Sequence, residues 1–125
     1  MYMKKISEIK WLNKPNKHDY PAAASYLNLI FSDEEVNLLV EQLKKAAVTE
    51  FKAKDIFRAS RLSLLGISNY HVEKDRKKIE KGIKLSPILL VRDTQNKSVI
   101  IADGYHRMCA VYSYNEDILI KCKIV

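Results

Sequence analysis

The sequence predicts an α+β domain, a small mixed sheet with flanking helices. Two runs of branched residues, PILLVRD (87–93) and SVIIAD (98–103), are separated by the polar turn TQNK, which reads as a hairpin of well-buried strands. At the C-terminal end, ILIKCKIV alternates Ile118, Ile120, Cys122 and Ile124 with a period of two, as a half-buried strand does. Elsewhere apolar residues recur at helical spacing, so helices and strands share one core.

Taken in order, KKISEIKWL (4–12) carries Ile6, Ile9 and Leu12 and reads as a short strand before the polar break NKPNKHDYP. AAASYLNLIF (22–31) favours a helix, with Pro21 in the first turn, where its missing N–H costs little. A second helix starts at Ser32: Glu35 completes a capping box, Val36, Leu39, Val40 and Leu43 follow at helical spacing, and the pattern lasts to about Ala47. In AKDIFRASRLSLLG (53–66), Ile56, Phe57, Ala59, Leu62, Leu64 and Leu65 predict one helix closed by Gly66. NYHVEKDRKKIEKG (69–82) predicts a short, very basic helix with Val72 and Ile79 inward and Gly82 as its stop. Gly104 to Tyr114 predicts the last helix.

The 125 residues fit one domain over 1–125, and 47% apolar with 30% charged residues is a globular balance. No stretch approaches the ~20 apolar residues of a membrane span, and the N-terminal segment lacks the apolar core of a secretory signal, so a cytoplasmic protein with no membrane partner is expected. Cys109 and Cys122 are too few for a disulfide framework and lack zinc-ribbon spacing, which predicts reduced, partly buried thiols. Residues 44–84 hold twelve Lys/Arg against five Asp/Glu and thus carry the whole net charge of +7. An anionic partner would use such a segment, and so would a merely solvated surface.

Candidate chemistry concentrates at DGYHR (103–107), where a strand becomes a helix. Asp103 is a good N-cap type, and Gly104 permits a tight bend or close approach of a ligand. Tyr105, His106 and Arg107 then fall in the first turn, where free amides, the positive helix end and a guanidinium fork converge as they do on bound phosphate. The competing reading has Asp103 as a plain cap and Arg107 paired with a carboxylate such as Asp19 or Asp75. His106 and Cys109 share a helix face three residues apart, but His18 and His71 do not complete a zinc set with them, and a core cysteine is the simpler reading. His71 and Asp75, at i and i+4, suit an ordinary surface contact.

The span GIKLSPILLVRDTQNKSVIIADGYHRMCAVY (82–112) resembles the core of the ParB/sulfiredoxin-like superfamily. The pattern of a glycine, a Pro-apolar strand, a hairpin and a G-x-x-R-x-x-A helix start is met by Gly82, Pro87, Ile88, Val91, Arg92, Gly104, Arg107 and Ala110. In that superfamily the glycine–arginine turn cradles nucleotide phosphates, CTP in ParB and ATP in sulfiredoxin and the free-serine kinases. The resemblance implies the same fold and phosphate contacts from Gly104, His106 and Arg107; Tyr105, in the same turn, is a further candidate binding residue, and a nucleotide (ATP or CTP) with Mg²⁺ is the expected cofactor. Tyr105 stands where sulfiredoxins carry a reactive cysteine, so peroxiredoxin repair is not expected. Tyr105 and His106 also replace the acid and first arginine of ParB, and no centromere-reading helix-turn-helix accompanies them.

The expected function is therefore binding of a nucleotide or phosphorylated small molecule at 103–107, flanked by the basic helix 70–81. For phosphotransfer or hydrolysis, Asp103 or His106 is the candidate base and Arg107 the group that stabilises a transferring phosphoryl. The alternative is a non-catalytic nucleic-acid-binding module that uses the basic 44–84 segment, with Lys77 and Lys78 outweighing Arg107. A third reading is an interaction protein, a toxin or antitoxin for example, with a degenerate pocket.

Overall fold

A computed structural model describes residues 8–66 and 68–125. It gives the α1 (Asp19–Leu27), α2 (Asp33–Lys45), β1 (Thr49–Lys52), α3 (Ala53–Ser60), α4 (Tyr70–Glu80), β2 (Ile88–Asp93), β3 (Ser98–Asp103), α5 (Tyr105–Tyr114) and β4 (Leu119–Ile124) elements in chain order. The class is α+β, as the patterning predicts.

The strands form one mixed sheet in the order β1-β4-β2-β3. β2 and β3 are the expected hairpin, β1 pairs antiparallel with β4, and β4 lies parallel to β2 with Leu90 opposite Ile124. Alternation along β2 divides the core. Ile88 and Leu90 point to the α3–α4–α5 side, where Met108, Val111, Ile120 and Cys122 join them. Leu89 and Val91 point to the α1–α2 side and pack with Leu27, Val36 and Leu43. The sheet is thus sandwiched between two helical layers, which explains why β2 reads as continuously apolar: both of its faces are buried.

Local chemistry sets most boundaries. Pro21 is the third residue of α1. At α2 the Ser32 side chain accepts the Glu35 amide, which is one half of the expected capping box; the Glu35 carboxylate accepts the Ser32 hydroxyl, and three acids in the first turn and two lysines in the last complement the helix dipole. Asn69 caps α4 by accepting the amides of His71 and Val72. Gly82 follows that helix at φ +71°, the left-handed turn its position implies.

Some expectations are corrected, and one strand is added. The helix from Ala53 stops at Ser60 instead of running to Leu65, because the Ser60 hydroxyl donates to the Phe57 carbonyl and accepts the Leu62 amide, and Arg61 turns left-handed. Leu62 and Leu64 are exposed in consequence, and Leu65 packs on the core from an irregular segment. Thr49–Lys52 is a strand that the sequence pattern does not announce, since all four residues are exposed at the sheet edge. Asp103 is not the N-cap of α5: that position belongs to Gly104 at φ +108°, and no side chain caps the helix. Of the strand expected over 4–12, residues 4–7 lie outside the described residues. The remainder makes one parallel bridge, Trp11 to Leu85, held by bonds from Leu12 to Leu85 and from Leu85 to Lys10.

Cys109 and Cys122 are both buried free thiols, and burial pushes Cys122 up to about 11. Among the described residues no helix is long and apolar enough to cross a membrane.

Candidate functional site

Gly104 is where the sheet hands the chain to α5, and packing requires a glycine there. A Cβ on Gly104 would stand 2.7 Å from the Ile88 Cβ and closer still to its Cγ2, so the backbone lies directly on β2. The positive φ and this close approach place the start of α5 against the sheet, with its first turn at the surface. Gly104 thus meets the expectation of a tight bend, and the partner it approaches closely is Ile88.

In front of this turn lies a polar cleft of about 190 Å³. Asp103, Gly104, His106 and Arg107 form one wall; His71, Lys74, Asp75 and Lys78 of α4 form the other. These α4 residues sit at i, i+3, i+4 and i+7, one helical face, and that spacing is the sequence signal that singles out Lys74 beside Lys78. Lys77, one residue off the face, does not line the cleft. The flanking of residues 103–107 by the basic helix is therefore present in the structure.

Arg107 has two roles in this geometry. Its Nη2 lies 2.9 Å from Asp103 Oδ2 and 3.9 Å from Asp19 Oδ2, so the guanidinium sits between two carboxylates. Asp19 is itself buried, accepts the Ser86 hydroxyl, and lies 3.4 Å from His18 Nε2. Ser86 in turn accepts the Asn16 amide, so one polar chain ties the segment before α1, the approach to β2 and the start of α5 together. The pairing with Asp19 is the competing sequence reading; the cleft is present beside it, and Arg107 lines it. Arg107 Nε is buried with no hydrogen-bond partner among the described residues.

Burial raises both acids of the cleft above the usual carboxylate range. For Asp103 the neighbouring Arg107 offsets that rise only in part, and for Asp75 the opposing charges are Lys78, Arg107, His106 and Lys74. His106 moves the other way: burial, then the positive field of His71, lowers it below the ordinary imidazole value, and Asp75 opposes them. The two rings lie 4.9 Å apart between centroids. His106 is therefore held as a neutral base at the cleft wall, whereas Asp103 is engaged by Arg107.

Tyr105 is not brought to the cleft. Its hydroxyl donates to the Ser63 carbonyl, and its ring packs against the α3–α4–α5 side of the core. Cys109 is buried beneath it as a core thiol, and burial raises its pKa. Among the described residues no three His, Cys, Asp or Glu side chains cluster as a metal site. Asp75 and Asp103 suit only a Mg²⁺ that arrives on a ligand's own phosphates, because such an ion keeps waters and phosphate oxygens and needs one or two protein carboxylates.

What the cleft can do follows from its charges. Lys74, Lys78 and Arg107 oppose two carboxylates, and the first turn of α5 adds amides that no side chain caps and that no acid in that turn neutralises. A helix end of this kind favours an anion. Sulfate should bind more tightly as pH falls below the ordinary imidazole value, because protonation adds a positive charge at His106 and removes negative charge from Asp75 and Asp103, whose raised pKa values bring protons to the cleft as well. Fluorescence or NMR titration checks this, and the trend should weaken without vanishing in His106→Gln, since Asp75 and Asp103 remain in the cleft.

The basic 44–84 segment does not form one surface. Lys44 and Lys45 end α2 on one side of the sheet, whereas Arg58, Lys74 and Lys78 belong to helices on the other. Several of its cations also have local partners: Lys44 with Glu41, Lys54 with Asp117, Arg58 with Asp55 and Arg76 with Glu73.

Comparison with models of known protein families, with curated proteins and with solved structures gives no match.

Proposed function

We propose that the cleft between α4 and the start of α5 binds the phosphoryl group of a nucleotide, ATP or CTP, or of another phosphorylated small molecule. The observation that carries this reading is the uncapped N-terminus of α5 opening, together with Lys74, Lys78 and Arg107, onto a single cleft. The likeness of residues 82–112 to the ParB/sulfiredoxin-like core supports it independently, since the Gly104-x-x-Arg107 turn is the part that superfamily uses for phosphate.

First-turn amides hold the phosphate oxygens in this arrangement, and the two lysines balance its charge. A Mg²⁺ brought by the nucleotide would be held through Asp75 and would supply neutralising charge to the phosphate chain. For phosphotransfer or hydrolysis, His106 is the neutral base placed to take a proton from an attacking hydroxyl or water, and Arg107 faces the charge of the transferring group. Asp103 acts by fixing Arg107.

A thermal-shift panel of ATP, CTP and pyrophosphate, with and without Mg²⁺, tests the reading on the wild type and on a Lys74→Ala/Lys78→Ala variant. Both lysines are surface residues, so the variant should fold. At a ligand concentration of 100 Kd the wild type should gain about 2.7 kcal/mol of stability, and the variant most of it should lose. No gain in the wild type, or an equal gain in the variant, contradicts the reading. Salt-steep binding to DNA in place of nucleotide binding would favour a nucleic-acid module.

A further inference from the structure

At the opposite end of the sheet, α3 stands off the strands it covers. Ile56 and Ala59 of α3 face Leu90, Val99 and Ile124 across a slot of about 230 Å³, with the exposed Arg92 and Asp55 at its open side. Gly104 rests on Ile88 at one end of β2 and Arg92 stands four residues on, about 13 Å away, so this slot is distinct from the polar cleft. The gap has local causes: Ala59 is small, and α3 stops at Ser60 instead of extending over the hairpin.

The slot's walls are apolar, whereas its mouth is charged. Arg92 shares a β2 face with Leu90, so its stem runs along the slot and its guanidinium reaches the rim. Among the described residues that guanidinium has no ion pair and no hydrogen-bond partner. Arg92 also borders a shallower hollow with Lys97, whose ammonium is likewise unpaired among the described residues. The nearby acids are engaged, Asp93 by Asn96 and Asp55 by Arg58 at 3.9 Å.

We propose that this slot binds a small apolar monocarboxylate, an acyl or aryl acid of up to roughly eight carbons. The size follows from the volume, which equals about eight waters at ~30 Å³ each, below that of a drug-sized pocket and far below what a protein partner needs. The single charge follows from the rim: an arginine fork matches a carboxylate, whereas Asp55 on the same slot repels a dianion such as phosphate. The hydrocarbon body lies on Leu90, Val99 and Ile124.

Titration of butyrate, hexanoate, octanoate and 1-octanol, followed by the methyl resonances of Ile56, Leu90 and Ile124, tests this directly. Affinity should rise by up to about fourfold per methylene and level off beyond roughly eight carbons. Octanoate should bind about tenfold more tightly than 1-octanol, and Arg92→Ala, a surface change, should erase that difference while leaving the melting temperature in place. Ala59→Phe should fill the slot and abolish binding of both; should that variant fail to fold, the Arg92→Ala comparison decides. Equal binding of acid and alcohol in the wild type, a preference that survives in Arg92→Ala, or no methyl shifts with any chain length overturns the assignment.

Discussion

Gly104→Ala should destabilise the fold by about 3 kcal/mol or more, the largest loss expected from any single methyl group in this chain. Two costs add. The backbone at φ +108° is strained for any residue with a Cβ, and the new methyl would stand 2.7 Å from the Ile88 Cβ and meet Arg107 Nη2 at 2.9 Å. Ile88 is fully buried and cannot withdraw, so the start of α5 must move. Chemical denaturation checks the loss. Gly66→Ala serves as the comparison, since a Cβ there meets nothing within 4 Å, and it should change stability by less than about 1 kcal/mol.

Arg107→Ala should cost about 2–4 kcal/mol at pH 7, because it leaves Asp19 and Asp103 without the guanidinium between them. The pH dependence distinguishes this from simple loss of packing. Asp103 already has a raised pKa in the folded protein, so the folded state holds that proton to higher pH than the unfolded chain. Stability therefore falls as pH rises from the ordinary carboxylate value through the raised one, and below that window the group contributes no penalty. Arg107 is the main charge limiting the rise, so its removal should widen the window and deepen the loss. Urea midpoints at pH 4 and pH 7 should show the larger deficit at pH 7. Arg107→Lys should restore part of it, because an ammonium supplies the charge without the fork. The nucleotide test uses the lysine variants for the same reason: loss of binding in Arg107→Ala would mix lost contacts with a loosened fold.

The sequence makes some of this architecture legible and hides the rest for identifiable reasons. The β2–β3 hairpin, β4, α2, α4 and α5 carry strong periodicity or caps, and each forms close to its expected place. β1 gives no such signal, since an edge strand with four exposed residues has no buried face to pattern. The overlong reading of α3 arises because Leu62, Leu64 and Leu65 imitate helical spacing, and only the Ser60 side chain, bonding locally to Phe57 and Leu62, reveals the stop. At the site, the turn chemistry of Gly104, His106 and Arg107 is readable, and the basic helix beside it is anticipated. Asp103 reads as a cap because Asp so often is one; the left-handed Gly104 takes that position and leaves its carboxylate to Arg107. The contact of Arg107 with Asp19, 88 positions away in the chain, is weighed as a rival to the ligand reading, yet the structure holds both together. The slot behind α3 has no sequence signal, because it depends on where that helix ends.

The central claim is that the free amides at the start of α5 face an anion. Titration of pyrophosphate into ¹⁵N-labelled protein, followed by two-dimensional NMR, examines those amides one by one. The largest downfield shifts should fall on the Tyr105, His106 and Arg107 amides, with smaller ones along the Lys74 and Lys78 face of α4. Shifts confined to lysine-rich surface away from residues 104–107, or none at millimolar pyrophosphate, would contradict the account.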